Sequence, residues 1–536
     1  MVLIISDKYH IILSKIFRRF RWVGWIDEVA PRFFVFGFGW NQPNGALGKE
    51  IHEFIRYGIS GVDLFPRNLS DPVQLWVELN HLVNFAGRKL IIATDQEGGG
   101  FSSLKYGFTV GVPPMALRAG NDPELARRQG EIFSKELSTV GVNTIFAPVL
   151  DVNTSIENPI IGIRSFSDDP DDVILYAEKF MEGLKKHNLK VCVKHFPGHG
   201  PTSEDSHEDL PIVRLLEEEY RAIHLKPFNQ IIKNDLVDMV MTAHVLYPSV
   251  DDKPGTISKR FITTILREEI GFDGLVISDC LEMRAMKEHY GIEKATVEAF
   301  NAGVDLILIS HSPDDQRKSM SALKDAMESG FIPKWKIEKS LERLERFLND
   351  LPEFPEDVEK ILDFSKDKDF ENLASSKSVF VLERKRVLPL KPDRSVIILY
   401  SKSDEEKAEF FVERLKTKVV RIERMDVDED DTKILETCSN FDTIILLTRS
   451  KSKSSIEILR MKNILKSIGK ESIHISLFNP YDMILLDFTT VSIASFGSEE
   501  HQLEAVAKAL LDGRYPNSVL PLRWSVRGDR CDGEIP

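Results

Sequence analysis

Eight apolar runs of strand length recur along the first part of the chain, at 33–39, 61–65, 89–94, 143–147, 190–194, 237–242, 274–278 and 304–309. Each is apolar almost throughout instead of alternating, which is the pattern of a strand covered on both faces. The stretches between them carry helix signals. Asn121-Asp122-Pro123-Glu124, for example, supplies a capping side chain and then a proline for the first helical turn, leading into Leu125 to Val140. Buried strands alternating with helices predict a parallel sheet. Eight of them within about 280 residues predict an α/β fold, a TIM-like (β/α)8 barrel.

A chain of 536 residues exceeds one ordinary core, so a second domain is expected. We expect an N-terminal extension over 1–30, a catalytic barrel over 31–348 and a linker over 349–375 containing Pro352 and Pro355. A smaller α/β/α sandwich is expected over 376–536, with strand-like runs at 379–382, 395–400, 441–448, 472–478 and 491–496.

In a parallel barrel the site forms where strands end and loops begin. Asp95, Lys194, His195, His244 and Asp279 each directly follow an apolar run. The densest segment is Lys194-His195-Phe196-Pro197-Gly198-His199-Gly200, followed by Asp205-Ser206-His207, with three histidines, a lysine and an aspartate within 14 residues. Asp279 can attack a sugar anomeric carbon, act as a base, bind a metal, or cap the helix that follows. His207, with Asp205 two residues before it, has the imidazole pKa suited to general acid/base work, or is a plain surface-loop histidine. Asp95 opens Asp95-Gln96-Glu97-Gly98-Gly99-Gly100, where a carboxylate and an amide suit paired bonds to vicinal hydroxyls. The glycines allow close backbone approach to a ligand, or form a flexible lid; without a following Lys-Ser/Thr this is no phosphate loop. Arg164 stands in a long loop after the fourth run and can brace a hydroxyl or a carboxylate. A metal set of His195, His199, Asp205 and His207 is the alternative; the His-x-His of amidohydrolase-type barrels is missing, so no metal or other cofactor is expected.

A net charge of -14 argues against non-specific nucleic-acid binding. Four cysteines without a CxxC pair give neither a disulfide framework nor a zinc site. No run approaches the roughly 20 apolar residues of a membrane span. Charges interrupt the apolar pieces at the N-terminus in the wrong order for a signal peptide, so a cytoplasmic location is expected. Ile12, Ile16 and Phe20 with Lys15 and Arg19 form either a peripheral helix on the barrel or a basic amphipathic turn at a membrane surface.

Five segments together resemble the β-N-acetylglucosaminidases of glycoside hydrolase family 3: Asp95-Gln96-Glu97-Gly98-Gly99, Arg164-Ser165-Phe166, the Lys194-to-His207 loop, Met241-Thr242-Ala243-His244 and Ser278-Asp279. The resemblance covers roughly residues 31 to 345 and extends more weakly through Asn479-Pro480-Tyr481-Asp482 and Leu520-Pro521-Leu522. It implies a TIM-like barrel followed by an α/β sandwich. It implies Asp279 as nucleophile, His207 as general acid/base with Asp205 as its partner, and Asp95, Arg164, Lys194 and His195 as residues holding the terminal sugar of an oligosaccharide. Two positions depart from the family: Gly100 and Ser103 stand where it has arginines, with Lys105 the candidate substitute. A phosphorylase of the same sugars and a non-catalytic sugar-binding relative are the alternatives.

Overall fold

The computed structural model describes residues 22–39, 48–203, 209–450 and 456–523. Asp205, His207 and the expected helix or basic turn over 12–20 lie outside the described residues. Eight strands, β1 (Phe34–Gly37), β2 (Gly61–Leu64), β3 (Ile91–Thr94), β4 (Thr144–Ile145), β5 (Lys190–Phe196), β6 (Met239–Thr242), β7 (Leu275–Ile277) and β8 (Ile307–Ile309), form one sheet in the order β7-β6-β5-β4-β3-β2-β1-β8. Every neighbouring pair is parallel. The end strands meet as well. Ile277 bridges Leu306, and the Asp305 and Leu306 N–H groups donate to the Val276 carbonyl at 2.8 and 3.0 Å, which closes the barrel.

All residues of these strands are buried, which is why the runs read as continuously apolar. The ladder between β4 and β5 is interrupted after Ile145. Pro148 has no N–H to give, and pairing resumes at Val149 and Lys194. That interruption brings the residues following β4 alongside the Lys194-His195 end of β5.

Outside the barrel, four helices begin with a capping side chain and then a proline. Asp71, Asp122, Asp169 and Ser312 accept from the N–H groups of Gln74, Glu124, Asp171 and Asp315, each ahead of proline at the first turn. The helices Pro123–Thr139 and Pro170–Leu184 pack through glycines. A Cβ on Gly130 would sit 2.2 Å from the Phe180 carbonyl oxygen, and one on Gly183 would sit 2.0 Å from that of Arg127.

The second sheet contains β9 (Phe380–Glu383), β10 (Ser395–Tyr400), β11 (Arg421–Asp426), β12 (Thr443–Thr448), β13 (Glu471–Ser476) and β14 (Val491–Ala494), ordered β11-β10-β12-β13-β14-β9. Only β9 is antiparallel, pairing with β14. Along β10 the side chains alternate between two cores. Val396 and Ile398 join Phe411, Leu415, Val506 and Leu510. Ile397 and Leu399 join Ile434, Cys438, Met461 and Ile464. Helices therefore cover both faces, as the sandwich reading requires.

Strand β11 was not expected. Its sequence, Arg-Ile-Glu-Arg-Met-Asp, lies at the sheet edge with no residue buried, so burial leaves no apolar signature there.

The two sheets are joined by shared core. Tyr481, Met483, Ala494, Phe496 and Leu522 pack into the barrel's hydrophobic cluster. The Pro521 carbonyl accepts from the Asp168 N–H at 3.3 Å and the Ser167 hydroxyl at 3.2 Å.

Candidate active site

A cavity of about 720 Å³ opens at the C-terminal ends of the barrel strands. The residues around it come from successive strand ends: Asp63 and Phe65 from β2, Asp95 and Glu97 after β3, Lys194 and His195 from β5, Asp279 and Cys280 after β7, Ser310 and His311 after β8. Arg164 enters from the loop after β4, and Phe478 from the second sheet.

One wall is a chain of alternating charges. Glu97 is 3% exposed and receives two bonds from Arg164, Nε at 2.8 Å and Nη2 at 2.7 Å. Lys194 approaches the same carboxylate at 2.6 Å and also pairs with Asp95. Arg164 Nη2 lies 3.3 Å from His195 Nε2, and His195 Nδ1 lies 2.7 Å from the fully buried Asp151. Burial alone would raise the Glu97 pKa, but Arg164 and Lys194 outweigh it and bring it down to about 2. Burial would lower Lys194; Asp95 and Glu97 instead hold its ammonium well above the usual range. Asp151, though buried, is held below the ordinary carboxylate range by His195 and His199.

Asp279 faces the cavity from the end of β7 and accepts the Cys280 N–H at 2.7 Å. Burial works to raise its pKa, but His244, His195, the Cys280 N–H and Lys194 together hold it below the ordinary value, so the carboxylate is ionised at neutral pH. His244 does not line the cavity. It is buried behind it, bonded to Thr256 Oγ1 at 2.8 Å and the Cys280 carbonyl at 3.1 Å.

The glycines of the Asp95 segment divide into two kinds. Gly98 and Gly99 have φ of 116° and 58°, and a Cβ on Gly98 would meet the Val112 carbonyl oxygen at 2.2 Å. They turn the chain tightly against the 110–113 segment. Gly100 is open, with nothing within 4 Å of its Cβ position, and lines the cavity together with Ser103. Lys105, the candidate substitute, pairs through its ammonium with Glu499, the residue ahead of the helix Glu500–Asp512, at 2.9 Å.

The Lys194 loop is firmly held as far as Thr202. Asn158 Nδ2 donates to the His199 and Gly200 carbonyls at 2.8 and 3.1 Å, Tyr247 donates to the Gly198 carbonyl at 2.7 Å, and the His199 N–H donates to Asp151 at 2.5 Å. The His199 ring is buried, and burial brings its pKa down to about 4.

Arg164 owes its position to the second sheet. Asn479 Oδ1 accepts the Ile163 N–H at 2.9 Å and lies where a Gly162 Cβ would stand, and Asn153 donates to the Tyr481 hydroxyl at 2.6 Å. Phe101 lies beneath the Arg164 guanidinium, 5.4 Å from ring centroid to carbon, and its ring centroid is 5.9 Å from that of Phe478.

The structure thus brings Asp95, Arg164, Lys194, His195 and Asp279 to one cavity. Sequence reasoning passed over Glu97, Asp151 and Asp63. Asp151 follows the apolar Val149-Leu150, but it lies six residues beyond the end of β4, past the break at Pro148. Glu97 stood in a quoted motif, but its link to two cations is visible only in space. As for metals, among the described residues Cys280, Glu282 and His311 bring ligand atoms within 4.8 Å of one another. There the Glu282 carboxylate already accepts three backbone N–H groups, from Ser310, His311 and Ser312. No helix among the described residues is long and apolar enough to cross a membrane.

Comparison with known proteins agrees with this architecture. The chain is 32% identical over 335 residues to beta-hexosaminidase A of Pseudoalteromonas piscicida, a match taking in 57% of this chain and 56% of that protein. It is 35% identical over 287 residues to the beta-hexosaminidase of Tolumonas auensis, covering 53% of this chain and 84% of the relative. The solved glycoside hydrolase family 3 beta-N-acetylglucosaminidase from Paenibacillus sp. str. FPU-7 superposes with a TM-score of 0.82 at 29% identity, over 92% of this chain and 98% of that one. The model of the glycosyl hydrolase family 3 N terminal domain matches residues 40–347, the span that carries the barrel strands from β2 to β8 and their cavity. By that match, and by the site built on it, the chain belongs to glycosyl hydrolase family 3.

Proposed function

We propose that this chain is a retaining, exo-acting glycoside hydrolase that removes a terminal non-reducing β-linked N-acetylglucosamine from oligosaccharides such as peptidoglycan fragments or chitin oligosaccharides. The observation that carries the reading is Asp279, an ionised carboxylate at the mouth of an apolar strand, facing a cavity whose opposite wall is rich in hydrogen-bonding groups. The relatives named beta-hexosaminidase support the choice of sugar.

In this reading Asp279 attacks the anomeric carbon while His207, oriented by Asp205, protonates the departing oxygen. The C–O bond breaks and a glycosyl ester forms on Asp279. His207, now neutral, takes a proton from water; the water oxygen displaces the carboxylate, and the sugar leaves with net retention. Asp95, Arg164, Lys194 and His195 hold the sugar. The chain's own groups supply both proton transfers, worth about 10²–10⁴ in rate. A non-catalytic reading draws on one observation, the uncharged Gly100 and Ser103 at the cavity wall.

The test is a panel of chromogenic β-glycosides in phosphate buffer, with the product anomer read by NMR. The expected product is the β-anomer of N-acetylglucosamine; sugar-1-phosphate would mark a phosphorylase, and no product at all a binding protein. Asp279→Asn should lower kcat/KM by about 10⁴-fold or more, a loss of roughly 5 kcal/mol of transition-state stabilisation. Near-full activity in that variant refutes the assignment.

A further inference from the structure

The floor of the cavity contains an acid that the proposed mechanism does not use. Asp63 lies within β2, Gly61-Val62-Asp63-Leu64, a strand otherwise built from apolar side chains and glycine, and is 1% exposed. A carboxyl placed there for structure alone would have both oxygens paired. One is: Oδ2 accepts the Ser310 hydroxyl at 3.2 Å. The other, Oδ1, is buried without a partner among the described residues, in a side chain that lines the cavity.

The nearby cations are engaged elsewhere. Lys194 is taken by Asp95 and Glu97. Arg67 donates to the Phe38 and Ser310 carbonyls and lies over the Phe65 ring. Lys105 is held by Glu499, and Gly100 and Ser103 bring no charge to the wall. Opposite-charge pairing within the protein therefore does not account for Asp63, and Asp95 follows the neighbouring strand β3.

We infer that Asp63 is a specificity-determining residue of the innermost subsite, where its free oxygen hydrogen-bonds one ring hydroxyl of the terminal sugar. Burial and the neighbouring Asp95 push its pKa well above the ordinary value, so both the acid and the carboxylate forms have to be matched. A hydroxyl is the ligand group that suits both, since it donates to a carboxylate and accepts from an acid. An ammonium or an amide N–H can donate to either form but cannot accept from the acid's O–H.

The inference rests on the cavity being a glycoside site. Its test uses aryl β-N-acetylglucosaminides lacking the 3-, 4- or 6-hydroxyl, compared with the parent on wild type, Asp63→Ala and Asp63→Asn. Wild type should lose about ten- to a hundredfold in kcat/KM on one deoxy compound through Asp63. In Asp63→Ala the penalty for that same compound should shrink below about threefold, while the other deoxy penalties stay as in wild type. Asp63→Asn fills the same space, guards against a folding failure, and should change the penalty at that one position. Equal loss on the parent and all deoxy compounds, or unchanged penalties, overturns the inference. Calorimetric binding of the free deoxy sugars gives the same comparison without turnover. A position-specific pattern in binding with no hydrolysis would refute the hydrolase and uphold Asp63. Hydrolysis with a uniform pattern would refute Asp63 alone, and a protein that neither binds nor cleaves these sugars would refute both.

Discussion

Glu97 should behave as the keystone of the charged wall, and Glu97→Gln tests that without changing the shape of the side chain. The glutamate is 3% exposed and takes two bonds from Arg164 and one from Lys194, whose side chains are 13% and 2% exposed. Its carboxyl is brought from the ordinary 4.5 to about 2, and at ~1.4 kcal/mol per pH unit that displacement is worth about 3 kcal/mol. Removing one partner of a buried ion pair costs ~3–5 kcal/mol by an independent route, so the two figures agree. The pH dependence has a definite sign. Because the folded value lies below the unfolded one, the stabilisation is complete above about pH 4.5 and disappears as pH falls toward 2. Urea unfolding followed by tryptophan fluorescence measures it, since Trp22, Trp25 and Trp76 pack against the barrel core. At pH 7 Glu97→Gln should be less stable than wild type by about 3 kcal/mol, and at pH 3 the gap should narrow to about 1 kcal/mol. Activity should fall as well, because Arg164 and Lys194 lose the group that fixes them. A variant as stable as wild type at pH 7, or a gap constant from pH 7 to pH 3, refutes the argument.

Two further substitutions probe what positions the site. Gly130→Ala should force apart the helices 123–139 and 170–184, since its Cβ would fall 2.2 Å from the Phe180 carbonyl; a loss of ~1–3 kcal/mol in thermal or urea unfolding is expected, with kcat nearly unchanged. Asn479→Ala should strand the buried Ile163 N–H and loosen the Arg164 loop, raising KM about tenfold with a smaller effect on kcat; an unchanged KM would mean the second sheet does not fix that loop.

What the sequence revealed follows from where each segment is buried. The barrel strands were legible because both of their faces are covered, so no polar position interrupts the runs, and the proline-led caps marked helices such as 123–139 in advance. Strand β11 was illegible for the opposite reason: an edge strand with no buried residue satisfies the ladder with backbone alone. In the site, Asp95, Lys194, His195 and Asp279 stood out because an ionisable group directly after an apolar run is uncommon. Asp151 escaped because Pro148 displaces it from the end of its short strand. Glu97 and Asp63 escaped because their meaning lies in which charges surround them, and that is set by strands distant in sequence.

The site depends on both sheets. The barrel supplies the ionisable groups, but the 24-residue segment 146–169 between β4 and the next α-helix cannot hold Arg164 to within hydrogen-bonding tolerance by itself. Asn479 and Tyr481, at the end of β13, fix that loop through the Ile163 N–H and Asn153. Asp95, Glu97 and Arg164 are tied together electrostatically, so a displacement of Arg164 reaches Lys194 through the shared Glu97 carboxylate. The second sheet therefore acts on the charged wall of the cavity without giving it a charged group, and its contribution should register in KM before it registers in the chemical step.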